Sequence, residues 1–295
     1  MSKTIFLTGS SGFVGTNLHK NLNSKFNFKF YKKDNPIRVA ENFVINLAGK
    51  AHDLKKTSNS IEYYKANTSF SNSVFDAFID SNAEVFITIS SVKAVADELD
   101  SELTEEYIPN PVTHYGKSKL QAEQYILSKK LPVGKRVYIL RPCMIHGPGN
   151  KGNLNLLFKI VSIGLPWPLG AYENKRSFCS VDNLCFIIKE LIENEKIPSG
   201  VYNVSDDDPI STNDIIKLIC ESQNKKSNIL NIPISLITVL SKLGDVLGFP
   251  LNTERLRKLT QNYVVCNDKI KIAINKPLPL TTKDGLIKTL NSFKY

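Results

Sequence analysis

The first 22 residues restrict the fold more than any other stretch. An apolar run over residues 4–8 leads into Gly9-Ser10-Ser11-Gly12-Phe13-Val14-Gly15, and residues 15–22 continue with a helical pattern. Glycines at i, i+3 and i+6 let backbone N–H groups and a helix N-terminus approach a phosphate with no Cβ in the way. Strand, tight turn and helix in that order predict a parallel α/β unit. They make Gly9, Ser11, Gly12, Phe13, Val14 and Gly15 the predicted cradle of a dinucleotide pyrophosphate.

The alternation continues downstream. Residues 28–31, 43–47, 85–90 and 137–140 read as strands, and residues 61–81 and 115–128 as helices. This pattern predicts a Rossmann-type, doubly wound parallel sheet over residues 1–145, with helices on both faces. Beyond Arg141 the texture changes to loops punctuated by Gly and Pro, notably residues 165–170, and to shorter helices such as residues 210–220. Residues 146–295 are expected to form mainly a smaller C-terminal substrate-binding lobe, with residues 177–203 returning to the first domain. No low-complexity linker separates the two.

Several functional classes are excluded at this stage. The most apolar stretch, residues 232–251, contains Lys242, Asp245 and two prolines, so no transmembrane segment is expected. The N-terminus lacks the pattern of a signal peptide, which points to a cytoplasmic protein. Five widely spaced cysteines with no CxxC, and four histidines, predict buried thiols and no metal site. The net charge of +10 is uneven: residues 1–50 hold eight basic and two acidic side chains, and residues 251–295 hold nine and three. No zinc finger, basic helix or aromatic-basic motif accompanies it, so small polyanions are the expected partners and nucleic acid is not.

Two Tyr-x-x-x-Lys pairs occur, Tyr115–Lys119 and Tyr125–Lys129. On a helix this spacing puts both side chains on one face, where an ammonium can lower the pKa of a phenol toward neutrality. Tyr115 opens its predicted helix, where a side chain can face the ligand edge of the sheet. Tyr125 lies ten residues on, rotated by about 280°, and is expected to be a surface or packing pair. The strand over residues 85–90 runs into Ser90-Ser91 at its carboxyl end, the edge where α/β proteins bind ligands. The second strand ends in Lys29-Phe30-Tyr31-Lys32-Lys33-Asp34. Asp34 would hold the ribose hydroxyls of NAD, whereas Lys32, Lys33 and Arg38 would hold the 2′-phosphate of NADP, and the segment reads both ways.

Taken with Asn46-Leu47-Ala48-Gly49, with residues 115–119 (YGKSK), 140–149 (LRPCMIHGPG) and 174–184 (NKRSFCSVDNL), the chain resembles the extended short-chain dehydrogenases/reductases of the NAD-dependent epimerase/dehydratase family. The motifs run in order over about residues 3–205. The likeness is greatest to sugar-nucleotide 4-epimerases and 4-keto-sugar reductases of bacterial surface-polysaccharide pathways. It implies a catalytic set of Ser91, Tyr115 and Lys119. It implies that Ala48, Gly49 and Asn67 join the glycine loop, Lys33 or Asp34, Tyr115 and Lys119 around NAD or NADP. It further implies that Ser91, Lys93, Asn153, Arg176 and Arg255 meet a nucleotide-sugar substrate. Residue 45 follows Gly15 closely for this family, so one strand-helix unit is expected to be missing. Val92 and Lys93 stand where the sugar 4,6-dehydratases carry Asp-Glu, so dehydration is not expected.

The expected chemistry is hydride transfer at C4 of a UDP-hexose or UDP-N-acetylhexosamine, with 4-epimerisation preferred to NADPH-dependent reduction of a 4-keto sugar. A catalytically silent sensor or scaffold is the alternative from a different class. A homodimer is compatible with the sequence.

Overall fold

The computed structural model describes residues 3–50, 59–150, 152–248 and 252–293. In chain order the elements are β1 (Thr4–Thr8), α1 (Phe13–Leu22), β2 (Asn27–Phe30), β3 (Phe43–Asn46), α2 (Ser60–Tyr63), a π-helical segment (Tyr64–Ser69), α3 (Phe70–Ile79) and β4 (Val85–Ile89). Then come a 3₁₀ turn (Val92–Ala94), α4 (His114–Ser128), β5 (Arg136–Pro142), β6 (Met144–His146), α5 (Asn153–Ser162), β7 (Phe178–Ser180), α6 (Val181–Glu193) and β8 (Gly200–Val204). Helices α7 (Thr212–Ser222), α8 (Ile234–Leu247), α9 (Thr253–Thr260), α10 (Asp268–Ile274) and α11 (Thr282–Asn291) complete the chain. No helix among the described residues is long and apolar enough to cross a membrane.

The chain forms two compact units. The first gathers Met1–Cys143, Val181–Ser205 and Val265–Pro279. Its sheet is six-stranded, wholly parallel and ordered β2-β1-β3-β4-β5-β8. Ile5–Leu7, Phe43–Ile45 and Val85–Ile87 are buried on both faces, which explains why these strands read as continuous apolar runs. One layer of the core joins Val74, Phe75 and Phe78 of α3 to Phe86 and Ile139 of the sheet and Ile126 of α4. β2 is the half-exposed edge, and residues 31–42 join it to β3 with no intervening helix. This is the missing strand-helix unit. Because β1 has β2 on one side and β3 on the other, the strand order reverses there and opens a crevice at their carboxyl ends.

The sequence expectation sets the first boundary at residue 145 and the return at 177–203, with residues 146–295 mainly in the second lobe. The compact units divide instead at Cys143, return over Val181–Ser205 and recruit Val265–Pro279. The last segment is held by distant partners: Cys266 N donates to Leu103 O at 2.9 Å. Ser205 Oγ donates to Val265 O at 3.0 Å, and Asn267 Nδ2 donates to Ser205 O at 3.0 Å. Such pairing leaves no local pattern in the sequence.

The second unit comprises Met144–Ser180, Asp206–Val264 and Leu280–Tyr295, built on the short parallel pair β6–β7. Leu154, Phe158, Trp167, Ile215, Ile219, Leu286 and Leu290 form its core. Within it His146 is fully buried, with Nδ1 2.8 Å from Thr289 Oγ1 and Nε2 3.3 Å from Asp206 Oδ2. The Asp206 carboxylate also accepts from Ser180 N at 2.9 and 3.0 Å. All five cysteines are free thiols, four buried and Cys266 half-buried.

Candidate active site

The loop after β1 is shaped by its glycines. Gly9 has φ +69°, and a Cβ there would fall 2.7 Å from Ala48 N and from Leu47 C. A Cβ at Gly15 would overlap Gly9 O and lie 2.8 Å from Ser10 Cα. The loops after β1 and β3 therefore touch backbone to backbone. α1 begins at Phe13 behind Gly12, whose missing side chain leaves the helix N-terminus open to a phosphate. A buried polar chain fixes the strand ends beneath: Thr8 Oγ1 donates to Asn46 Oδ1 at 2.6 Å, and Ala48 N donates to Thr8 Oγ1 at 3.1 Å. Asn46 Nδ2 donates in turn to Ser71 Oγ at 2.9 Å and Thr88 Oγ1 at 3.2 Å. This cradle fits a dinucleotide pyrophosphate, with Ser11, Phe13 and Val14 on its rim. Lys33 and Asp34 lie in the exposed turn that follows β2, Asp34 at φ +68°.

Ser91 lies two residues beyond the end of β4 and caps the 3₁₀ turn, its Oγ accepting from Lys93 N at 3.2 Å. Lys93 Nζ donates to Asp97 O at 2.7 Å. Across from it α4 starts under a Thr113 cap that accepts from Gly116 N at 3.2 Å, and Asp97 accepts from Val112 N and Thr113 N at 3.0 and 3.3 Å. A Cβ at Gly116 would overlap the Lys93 carbonyl, so glycine is what lets α4 press against the loop after β4. The result brings Tyr115 onto Ser91, to which its phenol is hydrogen-bonded. Burial pushes the Tyr115 phenol up; the Ser91 hydrogen bond pulls it down, and neighbouring Tyr63 raises it further. The lowered phenol expected from the Tyr-x-x-x-Lys spacing is not found: in this protein burial outweighs the other effects.

Lys119 lies one turn further along α4, 8% exposed, with Nζ donating to Ile89 O at 2.8 Å. Burial lowers its pKa to about 8, against the opposing effect of Glu123. A Cβ on Gly49 would lie 3.0 Å from Lys119 Nζ and 2.8 Å from Asn67 Oδ1, which brings Gly49, Asn67 and Lys119 together at one point. Asn67 is fully buried; its Oδ1 accepts from Lys50 N at 2.8 Å and its Nδ2 donates to Ser118 Oγ at 3.0 Å. The expected helix over residues 61–81 is interrupted here. Across the π-helical segment Phe70 N donates to Lys65 O, a wide turn that aims Asn67 inward.

Sequence reasoning passed over the layer behind Lys119. Glu123 and Arg141, both nearly fully buried, form an ion pair in which Arg141 Nε donates at 3.1 Å and Nη2 at 2.5 Å. Ser90 Oγ completes the group with a hydrogen bond to Glu123. The available signals were an acid four residues after Lys119 and an arginine inside the apolar run of β5.

In the second unit Arg176 donates through Nη1 to Lys258 O, at the last turn of α9, and its backbone pairs with Ile210. Arg255 is exposed in the first turn of the same helix. Asn153 begins α5, and its side chain lies outside the described residues.

These features define a class, the dinucleotide-dependent α/β enzymes whose cofactor lies at a strand-order reversal. The model of the NAD dependent epimerase/dehydratase family matches residues 5–205, and the chain belongs to that family, which is NAD(P)-dependent. It is 29% identical to a UDP-glucose 4-epimerase of Vibrio cholerae, over 99% of this chain and 96% of that one. It is 27% identical to an N-acetyl-alpha-D-glucosaminyl-diphospho-ditrans,octacis-undecaprenol 4-epimerase of Escherichia coli O157:H7, over 98% and 95%. The solved UDP-N-acetylglucosamine 4-epimerase of Bacillus cereus shares the fold with a TM-score of 0.76, at 19% identity and 98% coverage of both chains.

Proposed function

We propose that this protein interconverts the C4 epimers of a hexose or N-acetylhexosamine held on a uridine diphosphate. The observation that carries the proposal is the hydrogen-bonded Ser91–Tyr115 pair, with Lys119 one helical turn away beside Gly49 and Asn67. Tyr115 Oη, in the phenolate form that the Lys119 ammonium and the positive charge of a bound oxidised nicotinamide would favour over the effect of burial, would take the proton from the sugar's 4-hydroxyl and later return it, while Ser91 Oγ orients that hydroxyl. Lys119 Nζ holds its charge near the phenol and the ribose. The bound dinucleotide supplies the acceptor and donor of hydride. The reading is supported by relatives named 4-epimerases that align over nearly the whole chain.

Lys93, Asn153, Arg176 and Arg255 belong to the same proposal as substrate contacts. A guanidinium suits a diphosphate because it offers paired donors in one plane. Val92 and Lys93 supply no carboxylic acid after Ser91, so the reaction stops at epimerisation. The test is incubation with UDP-glucose and UDP-N-acetylglucosamine and NAD, followed by NMR of the anomeric protons. The galacto product should appear with no net change in NADH absorbance. Stoichiometric NADPH consumption on a 4-keto sugar, without epimerisation, would establish a reductase instead.

A second reading puts a polyprenol in place of the uridine. It is favoured by the named lipid-linked substrate of the Escherichia coli relative. Turnover of a polyprenyl-diphosphate sugar, with UDP-sugars inert, would decide for it.

A further inference from the structure

Helix α8 turns its aliphatic residues the wrong way for a core helix. At about 100° per residue, Ile237, Ser241 and Gly244 share one stripe, and this stripe is the buried one. Leu236, Val239, Leu240, Leu243, Val246 and Leu247 fill a contiguous arc of about 120° on the other side, and they are 44% to 83% exposed. Ile237 is the single large aliphatic residue of α8 that is buried. A helix on a globular protein normally faces such an arc inward, and a patch of this kind marks an interaction surface.

What covers it is indicated by its neighbour. Asp245 of α8 accepts from Thr253 N at 3.1 Å and also bonds the Thr253 hydroxyl, so α9 starts beside the last turns of α8. α9 exposes Arg255, Arg257 and Lys258, the last paired with Glu254 at 2.7 Å, and Lys242 stands at the edge of the aliphatic arc. An aliphatic face bordered by cationic side chains is complementary to lipid tails bordered by anionic head groups. A second copy docked by two-fold symmetry would bring the two cationic borders together, which is unfavourable. At 14 residues, α8 is about 21 Å long, short of the about 30 Å hydrocarbon core.

We infer that α8 is an interfacial anchor: it lies in the plane of an anionic phospholipid bilayer, with its aliphatic arc among the acyl chains and Lys242, Arg257 and Lys258 against the phosphates. The inference is independent of which diphosphate carries the sugar, because it is tested without substrate.

The experiment is flotation of the full chain with vesicles of phosphatidylcholine alone or mixed with phosphatidylglycerol. The protein should float with the mixed vesicles and at least about tenfold less with phosphatidylcholine alone. The triple variant Leu240→Ser/Leu243→Ser/Val246→Ser should lose at least about tenfold in partitioning while keeping its thermal midpoint and its turnover of a water-soluble substrate. Lys242→Glu, a single exposed change, should weaken binding to the mixed vesicles a few-fold, an effect that salt erases. Wild-type protein that stays with the aqueous phase, or a triple variant that floats as well as wild type, overturns the inference. So does a dimer in light scattering that the triple variant converts to a monomer with no vesicle binding, since α8 then covers a second copy.

Discussion

The two ends of α4 carry the same Tyr-x-x-x-Lys signature and do different things with it. At the start of the helix, Tyr115 and Lys119 are drawn in against Ser91, Ile89 O and Gly49. At its end, Tyr125 donates to both carboxylate oxygens of Asp76 at 2.8 and 2.9 Å. Lys129 has already left the helix, with φ −90° and ψ 135°, and its Nζ lies over the Tyr125 ring, 4.5 Å from the centroid. Spacing alone therefore says little. What separates the pairs is the carboxyl edge of the sheet at one end and solvent at the other.

The sharpest way to break this contrast is to remove one phenol oxygen at each end. Tyr115→Phe is expected to lower kcat by about 10²–10⁴-fold while cofactor affinity, measured by fluorescence titration, stays within a few-fold. If Tyr125→Phe lowers kcat as much, the contrast fails.

Between the two ends lies Glu123, whose removal tests the buried layer. Glu123→Gln leaves the Arg141 guanidinium buried without its counter-charge and should cost about 3–5 kcal/mol in urea unfolding. It also removes the charge that supports the Lys119 ammonium, so the pH profile of kcat should shift so that Lys119 loses its proton at lower pH. A stable variant with an unmoved profile would separate Glu123 from the site.

Lys119 itself predicts a pH dependence of stability. Its pKa is about 8 in the fold against 10.5 in the unfolded chain. Below pH 8 both states hold the proton and the fold bears the full penalty of a buried charge. Between pH 8 and 10.5 only the unfolded state is protonated, so stability rises with pH through this group, by on the order of 3 kcal/mol in total. Lys119→Met should therefore gain most over wild type near pH 7, and the gain should shrink as pH approaches 10. A gain that does not change with pH in paired urea titrations would show that Lys119 is not desolvated.

The smallest effect belongs to the exposed end. Tyr125→Phe should change stability by less than about 1 kcal/mol in thermal unfolding and leave turnover unaltered.

The contrast also shows what was legible beforehand. β4 and α4 lie within one residue of their sequence expectations, because a run of β-branched and aromatic residues and a Thr113 cap are local signals. The glycine loop and the Tyr115–Lys119 pair stand out as candidates from spacing joined to position, and Ser91 from the family resemblance. Gly116, Asn46 and the Glu123–Arg141 pair were not, since each is defined by a partner 18 or more residues away, such as Lys93 for Gly116 and Thr8 for Asn46, or by a clash that only the fold creates. The place of the α10 segment has no local signal for the same reason. Its Ile270 and Ile274 make an ordinary short amphipathic pattern, and it is long-range bonds such as Cys266–Leu103 and Asn267–Ser205 that say which unit they bury against.

The wide turn at Tyr64–Ser69 sets a rule for how this chain can change length. On its C-terminal side Val74, Phe75 and Phe78 must face the sheet, and within the turn Asn67 must face Gly49 and Lys119. The i→i+5 spacing reconciles two rotational phases that a plain α-helix would set at odds. Losing one residue there would restore i→i+4 bonding and swing one half of the rod by about 100° relative to the other. These two requirements fix the count between Asn67 and Phe75, so the least regular stretch of this helix is expected to be the one least tolerant of insertion or deletion.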